Sequence, residues 1–213
     1  MPPRMRPQQG LNQPGVGRLR DLEKPNGVTL GWERLETSHP FEHQMFRVRV
    51  DSVRWPDGHL APYTYVEAAH AVWVVPVTCS GEVVLIRQFR YTMDDWCWEI
   101  PAGGFHDFQG TPVELAQQEL AEEVGGSSTE WQYVGSFRPG TSVIDMVCHI
   151  VLARNVSLDG VPQPEAGEVI EVHPVPIAKA LEMARSGQMV DGRSALALLR
   201  CEQHIAPQAD PTR

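Results

Sequence analysis

Three carboxylates crowd into one short stretch of the chain, Glu119, Glu122 and Glu123 in ELAEEVG. On a helix Glu119 and Glu123 lie one turn apart on one face, with Glu122 beside them. Carboxylates held side by side repel one another. The cluster therefore suits a hard divalent cation such as Mg²⁺, which takes one or two carboxylates together with substrate phosphate oxygens. The plainer reading is a solvated acidic helix face, and for an isolated E-x-x-E-E it is the commoner one. Upstream, Gly103 and Gly104 mark a loop whose backbone can approach a bound ion closely, although a glycine pair alone also describes an ordinary turn.

A well-defined helix must carry these acids. Thr111 is the expected N-cap, Pro112 takes the first helical position, where its missing N–H costs nothing, and Glu114 completes a T-x-x-E capping box. Gly125 supplies the stop. Val113, Ala116, Leu120 and Val124 recur at helical spacing and predict the buried stripe. Before the helix, Met45 to Val53 alternates, Pro56-Asp57-Gly58 turns the chain, and a second strand runs around Tyr63 to Glu67, which together predict a β-hairpin. A second hairpin is expected where Cys79-Ser80-Gly81-Glu82 separates two β-branched runs, Ala71 to Thr78 and Val83 to Arg87. Further strands are expected at Trp131 to Phe137, Met146 to Ala153 and near Ile170 to Val175. Helices are expected from Ile177 to Arg185, stopped by Ser186-Gly187, and from Gly192 to about His204. That order predicts an α+β fold in which helices sandwich a mixed sheet.

At 213 residues the chain can bury one full core. Residues 1–26 are rich in Pro, Gly, Gln and Arg without apolar periodicity and are expected to form a disordered tail. Residues 27–68 form an N-terminal β-hairpin region, 69–205 the main domain and 206–213 a second tail. A net charge of −9 argues against a nucleic-acid-coating protein, whose footprint would be a basic patch. Cys79, Cys97, Cys148 and Cys201 show no paired metal spacing and suggest reduced thiols and a cytoplasmic location. No apolar run is long enough to span a bilayer, so no membrane association is expected, and the opening MPPRMRPQQG lacks the apolar region of a signal peptide. His39 and His43 are four apart, but Pro40 between them breaks any helix, and a zinc site there is not expected.

The segment from Trp98 to Gly125 resembles the Nudix box, G-x5-E-x7-R-E-U-x-E-E-x-G-U with U aliphatic. Gly104, Glu119, Leu120, Glu122, Glu123 and Gly125 fall on its positions. Gly110, Gln118 and Gly126 depart from it, standing where the first Glu, the Arg and the last aliphatic belong. Around it, VVLIRQFRYTMDDWCWEIPAGG, FRPGTSVIDMVCHIVLA and GEVIEVHPVPIAKALEMARSGQMVDGRSALALL resemble the ADP-ribose pyrophosphatase branch of the Nudix hydrolases. The likeness covers roughly residues 28 to 200.

This resemblance implies a Nudix fold, an α/β/α sandwich with a central mixed β-sheet. It implies Mg²⁺, with Mn²⁺ as the alternative, held by Glu119, Glu122, Glu123 and the carbonyl of Ala102. A late-loop carboxylate completes the site in this branch, and alignment puts Glu168 there, with Glu165 close by. The same four glutamates, Glu119, Glu122, Glu123 and Glu168, are therefore the catalytic candidates. Arg90 matches a phosphate-contacting position, with Arg87 a weaker candidate, and Trp32 is the expected aromatic platform for the base. The implied reaction is hydrolysis of the diphosphate bond of ADP-ribose or a related nucleoside diphosphate sugar, by a homodimer. The alternative is a catalytically impaired Nudix domain that serves as a nucleotide-binding sensor or scaffold. A Glu and an Arg at positions 110 and 118 would be expected to pair, so their joint absence is read as one event.

Overall fold

The computed structural model describes residues 24–106 and 108–205, so the expectations for 1–23 and 206–213 lie outside the described residues. In chain order the elements are α1 (Pro25–Thr29), β1 (Glu33–Glu42), β2 (Phe46–Arg54), β3 (Leu60–Ala68), β4 (Ala71–Thr78), β5 (Glu82–Arg90), β6 (Asp95–Glu99) and β7 (Ala102–Gly104). They continue as α2 (Pro112–Val124), β8 (Glu130–Phe137), β9 (Ile144–Asp145), β10 (Cys148–Val156), β11 (Ile170–Pro176), α3 (Ile177–Ser186) and α4 (Gly192–Ile205).

The main sheet runs β11-β5-β4-β10-β8, with β6 added to β5 and β7 to β4. Only β4 and β10 pair in parallel within it, so the sheet is mixed. β4 reads AVWVVPVT and is buried on both faces, as a central strand covered by helices must be. Its alternate residues feed two cores. Val72 and Val74 meet Leu115, Ala116, Leu120 and Val124 of α2 on one side. Trp73, Val75 and Val77 meet Ala180, Leu181, Leu198 and Cys201 of α3 and α4 on the other. This is the expected α/β/α sandwich. The stripe of α2 differs in one respect: Leu115 is 1 % exposed and belongs to it, whereas Val113 is only partly buried.

The N-terminal region holds more than a hairpin. β2 and β3 pair through the expected turn, but β1 pairs with β2 and the short β9 with β3, giving a four-stranded sheet. ERLETSHPFE lacks hydrophobic alternation, and most of β1 is exposed, so the pattern that marks a half-buried strand is missing from it. Lys24 to Asn26, expected in the tail, lead into and begin the short helix α1. The interior of this sheet carries a network of charges. Arg49 is fully buried, donating from Nε to Asp51 Oδ1 (2.7 Å) and from Nη1 to Glu67 Oε1 (3.0 Å), while Glu67 also receives Arg47 Nε at 2.5 Å. His39 Nε2 lies 3.3 Å from the same carboxylate.

α2 is built as its sequence requires. Thr111 accepts from the Glu114 N–H at 3.3 Å, and Glu114 in turn accepts from the Thr111 N–H at 2.7 Å. At the other end Gly125 adopts φ +63° and closes the helix. A Cβ on Gly125 would lie 2.5 Å from the carbonyl oxygen of Gly160, whose own N–H donates to the Gly125 carbonyl at 2.9 Å. This glycine therefore both ends the helix and receives the loop after β10. Gly125→Ala combines left-handed strain with a backbone clash, and it should lower unfolding free energy by about 1–3 kcal/mol. Urea denaturation measures this, and an unchanged midpoint would disprove the close approach.

Candidate active site

Glu119 and Glu123 project from α2 onto β7, the three-residue strand Ala102–Gly104. A Cβ built on Gly103 would fall 1.8 Å from Glu119 Oε1 and 1.9 Å from its Cδ, so the carboxylate occupies the space a side chain would take. The N–H of Ala102 donates to Glu123 Oε2 at 3.0 Å. A side chain at position 103 would therefore displace the Glu119 carboxylate from its seat on β7. Gly104 faces the other way, where a Cβ would meet the His106 ring at 2.4 Å.

Burying acids together has an electrostatic consequence. Burial, then the neighbouring Glu122, Glu168 and Glu165, push the Glu119 carboxyl from 4.5 up to about 7. Glu123 is 4 % exposed and is raised well above the carboxylate range, by burial first and by Glu119 and Glu168 next. The Ala102 N–H and the field of Arg90 pull it partly back. The expected late-loop acids are therefore within electrostatic reach of the helix acids. Two backbone bonds dock that loop on α2, Gly160 N–H to Gly125 O (2.9 Å) and Gln163 N–H to Glu122 O (2.7 Å). Glu168 is partly buried and accepts from the Glu165 N–H at 2.9 Å.

The remaining sequence candidates are distributed unevenly. Arg90 grips Glu99 with Nε and Nη2 at 2.7 and 2.5 Å. Arg87 is an odd number of residues away on an unbulged strand, so it lies on the opposite face of β5; it sits 3.6 Å from Glu171 and 5.2 Å over the Trp96 ring. The two arginines do not share a face. Trp32 lies elsewhere, lining a cavity of about 1200 Å³ with Tyr63, Tyr65, Arg138 and Asp145, and its ring is 5.8 Å from that of Trp55. None of the helix acids lines this cavity. Trp98 packs partly against the α3–α4 core and meets the His173 ring at 5.1 Å.

Of the departures from the box, Gln118 has a local partner on the helix. Gln118 donates from Nε2 to Glu122 Oε1 at 3.0 Å. A Cβ at Gly110 would meet the Phe108 ring at 2.5 Å and Glu114 Oε2 at 2.9 Å, so an acid there would face the capping carboxylate as well as any arginine at position 118. Gly126 is set by packing too, since a Cβ would approach Leu120 Cγ to 2.9 Å. Two contributors escaped the sequence reading, Gly103 as the seat of Glu119 and Glu99 as the partner of Arg90. The first was hidden among glycines that read as a turn; the second had no signal other than its place beside the box.

The donor set fits a hard divalent ion: carboxylate oxygens, partly desolvated and mutually repelling, beside a backbone that a glycine leaves open. Among the described residues no three His, Cys, Asp or Glu side chains are already closed into a cage. Burial first and mutual repulsion second raise their proton affinity, and an ion bound there would offset both.

The comparisons with known proteins give the class to which this fold belongs. Residues 68–193, more than half of the chain, match the NUDIX domain, and the chain belongs to the NUDIX family. It is an ADP-ribose pyrophosphatase-like Nudix pyrophosphohydrolase, and Nudix hydrolases generally need divalent metals. The ADP-ribose pyrophosphatase of Bacillus subtilis is 28 % identical over 170 residues, 79 % of this chain and 91 % of that one. A CMP-5'-(N-acetyl-N-hydroxy-3-aminopropyl)phosphonate hydrolase of Streptomyces rubellomurinus is 29 % identical over 158 residues, covering 74 % and 76 %. A crystal structure of an ADP compounds hydrolase superposes with TM-score 0.71 at 18 % identity, covering 81 % of this chain and 93 % of that chain, and shows the shared fold.

The raised Glu119 carboxyl has a signed effect on stability. The metal-free folded state retains a proton that the unfolded chain releases, so this contribution is full below about pH 4.5 and is lost as pH rises through about 7. Metal-stripped wild type should therefore lose stability relative to Glu119→Gln between about pH 5 and about pH 8. Parallel urea-midpoint profiles for the two proteins would contradict the burial of a charged Glu119.

Proposed function

We propose that this chain hydrolyses the diphosphate bond of ADP-ribose or a related nucleoside diphosphate sugar, releasing AMP and ribose 5-phosphate in the ADP-ribose case. The observation that supports it most is the burial of Glu119 and Glu123 against the open backbone of β7, with an acidic loop facing them. An isolated binder has no evident need for such a repelling group. Glu119, Glu122 and Glu123, with the Ala102 carbonyl, would hold Mg²⁺, and Mn²⁺ suits the same oxygen donors. Bound there, the metal would stabilise charge on the diphosphate oxygens and lower the proton affinity of water.

The chain's own groups divide the remaining work. Glu168 is tethered to the Glu165 N–H, so its carboxylate is held in place to orient water and accept a proton. Arg90 presents a guanidinium to the phosphates. Arg87, turned to the other face of β5, is left outside the site. Trp32 serves as base platform, with Trp55 and Tyr63 beside it. Because its cavity contains none of the helix acids, a base held there completes the site of a second copy of the chain. The N-terminal sheet supports that homodimer, since Leu35, Phe41, Leu60 and Tyr63 leave 41 %, 51 %, 57 % and 41 % of their surface exposed. We assign residues 27–68 to this role and 69–205 to the hydrolase domain.

Purified protein with Mg²⁺ should turn over ADP-ribose or another member of a nucleoside diphosphate panel that includes a CMP ester. Binding without turnover of any of them would replace the enzyme reading by the sensor reading. Glu123→Gln keeps the shape and removes the charge, so turnover should fall by at least about a hundredfold with melting behaviour retained. An unchanged rate would remove Glu123 from the metal set. Trp32→Ala should raise KM about tenfold through lost stacking, and light scattering should return the mass of two chains. A monomer with full activity would exclude the shared site.

A further inference from the structure

Arg90 stands at the end of β5 with one edge of its guanidinium committed and the other open. Nε and one Nη2 hydrogen go to the two oxygens of Glu99, and the remaining donors of the fork have no hydrogen-bond partner among the described residues. The Glu99 side chain is 4 % exposed, the Arg90 side chain 40 %. In the β5–β6 register Glu99 faces Ile86 and Arg90 faces Asp95, so acid and guanidinium share the sheet face that carries α2. The chain that leaves Glu99 passes directly into the site. Ile100 N–H donates to Ser194 Oγ at 3.3 Å, Val74 N–H donates to the Pro101 carbonyl at 2.8 Å, and Ala102 N–H holds Glu123.

Two other acids lie in the field of Arg90, Asp191 and Glu123. Asp191 is already engaged, accepting from Ser194 N–H (3.0 Å), Ser194 Oγ (2.7 Å) and Arg193 Nε (3.0 Å). Among the described residues Glu123 has only the Ala102 N–H. An arginine released from Glu99 would thus turn toward the least committed carboxylate, which is one of the acids assigned to the metal.

We propose that Glu99 is a positioning residue: it clamps Arg90 edge-on so that the open edge of the guanidinium meets the diphosphate and stays off Glu123. This rests on reading the site as that of a metal-dependent diphosphate hydrolase. Stability alone does not explain the pair, because replacing a buried ion pair by apolar groups is often neutral. Its directed geometry, a buried acid gripping a half-exposed base, serves recognition better than packing.

The test uses the full chain with two probes, Mn²⁺ alone, followed by electron paramagnetic resonance, and ADP-ribose with Mg²⁺, followed by kcat and KM. Glu99→Ala should raise KM about tenfold or more, the value of a charge-assisted phosphate contact, and weaken Mn²⁺ binding several-fold. The double variant Glu99→Ala/Arg90→Ala removes the competitor, so Mn²⁺ affinity should return to near wild type while KM stays high. Glu99→Gln keeps the shape and one acceptor and should fall between. If Glu99→Ala leaves KM and Mn²⁺ affinity unchanged, or if the double variant binds Mn²⁺ as poorly as the single one, the proposal is overturned; the latter result would show that Glu99 only supports the Ala102 segment. Should Glu99→Ala not fold, Glu99→Gln with and without Arg90→Ala decides by the same comparison. Absence of turnover in the wild type would refute the hydrolase reading, whereas the Mn²⁺ comparison would still decide the role of Glu99.

Discussion

The main domain is arranged around the burial of two neighbouring carboxyl groups. Glu119 and Glu123 are one turn apart on α2 and are pressed onto a strand that offers the space of a missing side chain at Gly103 and an N–H at Ala102. Neither contact neutralises them. The result is a raised proton affinity for both, and a site that gains most from a cation. A helix held loosely would swing its acids into water, so the rest of the fold must keep α2 against the sheet.

It does so with apolar packing on one side and backbone docking on the other. Leu115, Ala116, Leu120 and Val124 seal α2 to β4, β5 and β10 with almost no exposed surface. The capping box and the left-handed Gly125 set where the helix begins and ends. The segment Glu99 to Ala102 is then fixed residue by residue, by Arg90, Ser194, Val74 and Glu123 in turn. Ser194 lies on α4, so the helix layer on the far side of the sheet also bears on the site.

The N-terminal sheet follows a different logic. Its interior is an ion network centred on the buried Arg49, and its apolar side chains are largely on the surface. A charge network gives direction rather than bulk stabilisation, and the sheet leaves apolar side chains such as Leu35, Phe41 and Leu60 exposed. The Trp32 cavity lies apart from the helix acids, none of which lines it.

Much of this was legible in the residues themselves, for physical reasons. Capping chemistry is local, so Thr111, Pro112, Glu114 and Gly125 defined α2 without tertiary help, while alternation marked β2 and β-branched runs marked β4 and β5. The acid spacing and the glycine loop carried the family resemblance, and with it the fold. Strands β1 and β6 were not readable, because exposed or short edge strands owe their form to the neighbour they pair with rather than to their own pattern. Nor could sequence say that Gly103 is the seat of Glu119, that Arg87 and Arg90 part to opposite faces in service of different neighbours, or that Glu99 grips Arg90. Each of these depends on which residues far apart in the chain come within a few ångströms, and only the packed sheet and helices decide that.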